Sequence, residues 1–156
     1  MAKLAVGDKA PAFTLKDQNG KPVKLSGAKG KRVVVYFYPK ADTPGCTQQS
    51  CSLRDAFPQL KKLNAVVYGI SPDPVEKQKK FDEKYGLGFP LLSDTDHAVA
   101  EAYGVWGEKS LYGRKFMGIV RSAFLIDEKG KLAGVFYKVS PKATVPSVEK
   151  ALKELG

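Results

Sequence analysis

The chain has 156 residues, 43% of them hydrophobic, which is enough for one compact core and too few for two domains of ordinary size, so a single domain over 1–156 is expected. No apolar run approaches the roughly 18 residues of a membrane span, and the opening MAKLAVGDKAPAF has no secretory-type apolar stretch, so a cytoplasmic protein with no membrane partner is expected. The net charge of +10 is large, but the lysines are dispersed and no nucleic-acid motif accompanies them; a solvated basic surface is expected, with no nucleic-acid partner.

In chain order, residues 12–15 and 22–25 flank the turn signal Asp17-Gln18-Asn19-Gly20 and imply a β-hairpin. VVVYFY (33–38) is unbroken apolar, β-branched and aromatic, as in a strand covered on both faces. Leu53, Ala56, Phe57, Leu60 and Leu63 then recur at helical spacing. Pro58 falls inside that pattern and is expected to kink or split the helix near residue 57. AVVYGI (65–70) is a second buried strand. Asp73-Pro74 reads as the cap and first residue of the next helix, which Gly86 ends.

A short strand and a helix follow, with His97 expected as a solvated first-turn residue. GVWGEKSLYGRKFMG (104–118) has four glycines and no clear period, so it is expected to be a long loop, either functional or a surface excursion. Residues 119–126 form an apolar strand interrupted by Arg121, AGVFYKV (133–139) pairs antiparallel with it, and Val148, Ala151, Leu152 and Leu155 mark a C-terminal helix. The alternation implies an α/β protein of thioredoxin-like plan: a mixed central sheet flanked by helices, with an N-terminal β-hairpin extension.

Chemistry concentrates in DTPGCTQQSC (42–51), which holds both cysteines. Two cysteines and one histidine cannot build a structural zinc site, so no metal or other cofactor is expected. Thr43 suits an N-cap and Pro44 the first helical position, which puts Cys46 in the first turn, where unpartnered amides favour a thiolate. The alternative for Cys46 is a small buried hydrophobe. Arg121 must meet solvent, a carboxylate or another anion, and in a thioredoxin-like sheet its strand passes near that helix start. Cys46 and Cys51, five residues apart, would be separated by about 7.5 Å along an α-helix and about 140° around it. A disulfide needs Cα atoms within about 7 Å, so an intact helix forbids the bond.

From GDKAPAFTL (7–15) through FYPKADTPGCT (37–47), YGLGFPLLSD (85–94) and GIVRSAFLID (118–127), the sequence resembles the peroxiredoxins, and within them the bacterioferritin-comigratory-protein or PrxQ branch. Pro39, Thr43 and Cys46 match the family pattern P-x-x-x-T-x-x-C, and Arg121 matches its strand arginine. The resemblance implies a thiol peroxidase acting on hydrogen peroxide or organic hydroperoxides. Cys46 would be the nucleophile that becomes a sulfenic acid, and Thr43 would hold thiolate and peroxide. Pro39 would shield the pocket, and Arg121 would stabilise charge as the O–O bond breaks.

Cys51 falls where one group of the branch has its resolving cysteine. It would form an intramolecular disulfide with Cys46, restored by thioredoxin or a similar thiol reductant. A resolving cysteine in the same chain leaves a monomer as the expectation. Three positions depart from the family: Gln49 stands where glutamate is frequent, Ala123 where threonine is frequent, and Pro58 in a helix usually free of proline. The competing readings are a thiol-disulfide oxidoreductase, which the lack of C-x-x-C disfavours, and a binding module that has lost its chemistry.

Overall fold

The computed structural model describes residues 3–156, apart from the Leu111 side chain. Strands β1 (Thr14–Lys16) and β2 (Pro22–Lys24) form the expected hairpin. Asp17 closes its turn by accepting from the amides of Asn19 and Lys21, at 2.9 and 3.0 Å. A 3-10 turn (Leu25–Ala28) leads to β3 (Arg32–Phe37), α1 (Pro44–Lys62), β4 (Ala65–Ser71), α2 (Val75–Tyr85), β5 (Leu91–Ser93) and α3 (Ala98–Ala102). Strands β6 (Trp106–Leu111), β7 (Arg114–Ile119), β8 (Ser122–Ile126) and β9 (Leu132–Phe136) follow, and α4 (Pro141–Leu155) ends the chain.

The main sheet has seven strands in the order β2-β1-β5-β4-β3-β8-β9. Its centre, β5-β4-β3, is parallel, and the remaining pairs are antiparallel. This is the mixed thioredoxin-like sheet. The N-terminal hairpin joins it as an edge, because Lys16 pairs with Ser93.

Every residue of β3 is buried, and its alternation feeds two cores. Val34, Tyr36 and Tyr38 meet Leu53 and Leu60 of α1 and Leu152 of α4. On the other face, Val33, Val35 and Phe37 meet Val99, Tyr103 and Phe124. Each such side chain contributes about 1.5–3 kcal/mol on burial, so a strand of this composition belongs at the centre of the sheet.

Four expectations need correction, and a fifth loses one of its two alternatives. Helix α1 is not split at Pro58 but continues to Lys62. The proline is exposed, so the carbonyl it leaves without a helix partner can face water, while Leu53 and Leu60 pin the helix to the sheet on either side. Helix α2 is capped by Pro74 and starts at Val75, because Asp73 is engaged elsewhere. Its end is as expected: Gly86 adopts φ 57° and returns its amide to the Asp82 carbonyl at 2.7 Å.

Residues 104–118 are mostly not loop: β6 and β7 pair in register from Trp106↔Ile119 to Leu111↔Arg114 as a separate two-stranded sheet. Arg121 lies between strands rather than within one, because the amide of Val120 turns away to the Val105 carbonyl at 2.7 Å. His97 is half-buried at the N-cap of α3, with φ 50°, and its ring stacks on Trp106 with centroids 3.8 Å apart.

Candidate active site

The site forms where β3 leaves the sheet and α1 begins. Pro39 is half-buried at the strand exit. The segment after it is tied down twice. Asp73 Oδ2 accepts from the Ala41 amide and from the Ser71 hydroxyl, both at 2.7 Å. Ser71 in turn accepts from Gln78 Nε2 at 2.9 Å, and Gln78 Oε1 accepts from the Tyr38 hydroxyl. Asp42, in the left-handed region at φ 59°, accepts from Lys84 Nζ at 2.9 Å and from the Tyr85 hydroxyl at 2.7 Å. The Tyr85 hydroxyl, and after it Lys84, hold the Asp42 carboxyl below the usual carboxylate range.

Thr43 is the N-cap of α1 in extended conformation, as expected, but its side chain does not cap. Its Oγ1 donates to the Lys40 carbonyl at 2.8 Å, while its own carbonyl accepts from the Thr47 amide at 2.8 Å. The first-turn amides therefore keep their partial positive charge without a side-chain acceptor. Cys46, the third helical residue, is 1% exposed beside them.

Arg121 Nη2 lies 3.4 Å from Cys46 Sγ, and Nη1 donates to Gln49 Oε1 at 2.9 Å. Gln49 is itself fixed, its Nε2 donating to Thr144 Oγ1 on α4 at 3.0 Å. Gly45 makes the approach possible, because a Cβ there would lie 2.9 Å from Arg121 Nη2. The sulfur thus meets a helix N-terminus on one side and a forked guanidinium on the other, an arrangement suited to negative charge on sulfur.

Lys109, on β6, adds a second cation nearby. Its Nζ donates to the Ile119 carbonyl at 2.8 Å. Burial, then the Arg121 charge, push the ammonium below its usual range, while Cys46 acts in the opposite direction. Beneath the helix, the Tyr36 hydroxyl and Ser50 Oγ share a hydrogen bond of 2.8 Å. Burial keeps the Tyr36 phenol far above its ordinary range, so it is a neutral wall rather than an acid or base.

Of the residues singled out from sequence, the structure brings Cys46 and Arg121 into contact and places Thr43 and Pro39 on the segment leading into α1. It does not bring Cys51 to Cys46. Both thiols are free, and both lie on the uninterrupted α1, with Cys51 half-buried against the same core. Gly45, Asp73 and Lys109 were not singled out. A glycine directly before the cysteine was a usable signal for a close approach, whereas Asp73 carried the appearance of a helix cap. Among the described residues, no group of three or more His, Cys, Asp or Glu side chains could hold a metal.

A family model described as the AhpC/TSA family matches residues 6–135. The chain belongs to that family. Within AhpC/TSA proteins it is 55% identical to a putative peroxiredoxin bcp of Haemophilus influenzae, over 91% of this chain and 92% of the relative. It is 47% identical to the peroxiredoxin Bcp of Bacillus subtilis, over 98% of both. Among solved structures, the peroxidoxin BcpB of Mycobacterium tuberculosis superposes with a TM-score of 0.88 at 37% identity, covering 98% of this chain and 99% of that one. The bacterioferritin comigratory protein of Xanthomonas campestris, whose structures concern its alkyl peroxide reduction, gives 0.86 at 35% identity, covering 92% and 91%. As an AhpC/TSA-family peroxiredoxin, the chain is a thiol peroxidase, an enzyme class that needs a peroxide and a thiol reductant.

Proposed function

We propose that Cys46 is the nucleophile of this thiol peroxidase and Cys51 its resolving partner, acting on hydrogen peroxide and organic hydroperoxides. The observation that carries this reading is the 3.4 Å contact between Arg121 Nη2 and Cys46 Sγ at the first turn of α1. In the first step the Cys46 thiolate attacks the terminal oxygen of ROOH. The O–O bond breaks, RO⁻ leaves and takes a proton, and Cys46 becomes a sulfenic acid. Charge spreads over sulfur and both oxygens in that transition state, where the first-turn amides and the Arg121 fork can meet it.

Thr43 supports the same step. By donating to the Lys40 carbonyl, its hydroxyl keeps lone pairs free to accept a hydrogen bond from the peroxide O–H. Pro39, half-buried at the strand exit, covers the pocket wall without offering a competing donor. In the second step the Cys51 thiolate attacks Cys46 Sγ and expels hydroxide, which takes up a proton from solvent and leaves as water, giving the disulfide. An α-helix holds residues i and i+5 beyond disulfide reach, so the first turns of α1 unwind before this step. A dithiol such as reduced thioredoxin then restores both thiols by exchange.

With both cysteines on one helix the cycle needs no second copy, and a monomer in a reducing cytoplasm is the fitting arrangement. The test adds one equivalent of hydroperoxide to each reduced variant. Cys46→Ser is expected to consume none, and Cys51→Ser to consume one equivalent and stall as the sulfenic acid. Steady-state turnover by Cys46→Ser would overturn the assignment.

A further inference from the structure

The β6–β7 hairpin stands apart from the main sheet, yet it runs directly into the active site. Two residues after β7 ends at Ile119 comes Arg121, and Lys109, midway along β6, donates to the Ile119 carbonyl where the hairpin ends. Six register pairs order it along its length. Despite that order, it carries the most exposed large apolar side chains outside the chain ends: Tyr112 at 97%, Met117 at 53% and Phe116 at 45%. Arg114 and Lys115 flank them, Lys115 Nζ lying 3.6 Å from the exposed Glu108 carboxylate, and Tyr112, Arg114, Lys115 and Phe116 line one shallow concavity. Tyr112 and Phe116 adjoin in that concavity, while Met117 lies on the opposite face of the strand, and exposed apolar groups held on an ordered hairpin mark an interaction surface rather than ordinary surface scatter.

We infer that this hairpin is the docking surface for the protein dithiol that re-reduces the enzyme, a partner with an apolar reactive face rimmed by carboxylates. The inference rests on the Cys46–Cys51 cycle proposed above. Charge selects the partner: the hairpin is basic and the whole chain carries +10, so a second copy is repelled where an acidic protein is attracted. Distance also fits. At about 3.4 Å per residue, Phe116 is no more than about 17 Å of chain from Arg121, and a partner covering about 800 Å² would span both. Once seated, the partner's thiolate attacks one sulfur of the disulfide and the other leaves as a thiolate that takes up a proton. The partner's second thiol then releases the mixed disulfide, so one dithiol is oxidised as the other is restored.

The test compares two reductants, reduced thioredoxin as the acidic dithiol protein and dithiothreitol as a small dithiol, at saturating hydroperoxide. The variants are Arg114→Glu/Lys115→Glu and Tyr112→Ala/Phe116→Ala. Each is expected to raise the KM for thioredoxin tenfold or more, with dithiothreitol-supported turnover and the single-turnover peroxide rate unchanged. The parent's KM for thioredoxin should also rise with ionic strength. An unchanged thioredoxin KM in both variants overturns the inference, as does an equal loss with both reductants, which would make the hairpin a support of the site. Sedimentation showing a parent dimer that the variants dissolve would assign the surface to a second copy instead. A parent that turns over with dithiothreitol but not thioredoxin refutes the docked-dithiol reading alone, whereas no turnover with either refutes the peroxidase cycle beneath it.

Discussion

Gln49 Oε1 accepts from Arg121 Nη1 at 2.9 Å, while the Gln49 amide donates to Thr144, so a neutral side chain fixes the guanidinium from α1 and α4 together. Removing this support leaves a half-buried guanidinium donor short of a partner, at a cost of up to about 1–3 kcal/mol. Gln49→Ala is expected to lower the second-order rate of Cys46 oxidation by hydroperoxide roughly tenfold. Gln49→Glu adds a charge that pairs with Arg121 in competition with the sulfur, and should lower the same rate at neutral pH. Stopped-flow measurement of the single-turnover reaction checks both.

Gly45→Ala isolates the approach of Arg121. The added Cβ would meet the guanidinium at 2.9 Å, and the flexible end of Arg121 can yield without disturbing the core. The melting temperature is therefore expected to move little while the peroxide rate falls about tenfold, for a loss of about 1.4 kcal/mol of transition-state stabilisation. A matching fall in stability and rate would show that the glycine serves the helix instead.

Gly69→Ala is the opposite case. A Cβ there would lie 2.7 Å from the hydroxyl of Tyr36, which is fully buried and held by Ser50. Overpacking of this kind costs about 1–3 kcal/mol, and chemical denaturation should show it. Because Tyr36 lies beneath the helix that bears both cysteines, the variant is also expected to form the disulfide faster.

Pro58→Ala restores an amide to the interior of α1. Alanine is favoured over proline in a helix interior by about 3 kcal/mol, so the variant should melt higher and unwind less readily. Disulfide formation after sulfenic acid formation is expected to slow, followed by intrinsic fluorescence in a double-mixing experiment. An unchanged rate would mean that the turns around Pro58 stay wound during resolution.

The Asp42 latch should be acid-sensitive. Its carboxyl is held below the ordinary range by Tyr85 and Lys84, so its contribution is complete above the unfolded carboxylate pKa of about 4. It is lost as pH falls through the lower folded value. Asp42→Asn is expected to flatten this part of the acid limb of a stability-versus-pH curve and to leave the neutral region nearly parallel to the parent.

Much of the site was legible because its chemistry is local. Thr43, Pro44 and Cys46 are spaced by the first turn of a helix, and the apolar run of β3 announced a strand with two covered faces. The misreadings share a cause, which is that long-range partners redirect local signals. Asp73 resembles a cap but bonds to Ala41, 32 residues away. The glycines in 104–118 looked like loop residues, yet Gly107 and Gly118 face each other in a hairpin, and Gly118 leaves only 3.2 Å between an added Cβ and the Lys109 chain. Arg121 appeared to sit within one strand because a sequence does not show that Val120 bonds out of line to Val105.

The anchoring of Ala41 to Asp73 has a consequence for the cycle as a whole. The post that holds the entry to α1 is fastened to the end of β4 and not to the helix. In the proposed cycle the first turns would dissolve to let the two sulfurs meet, and a mooring fastened outside the helix would give every return to the reduced form the same point from which to rewind.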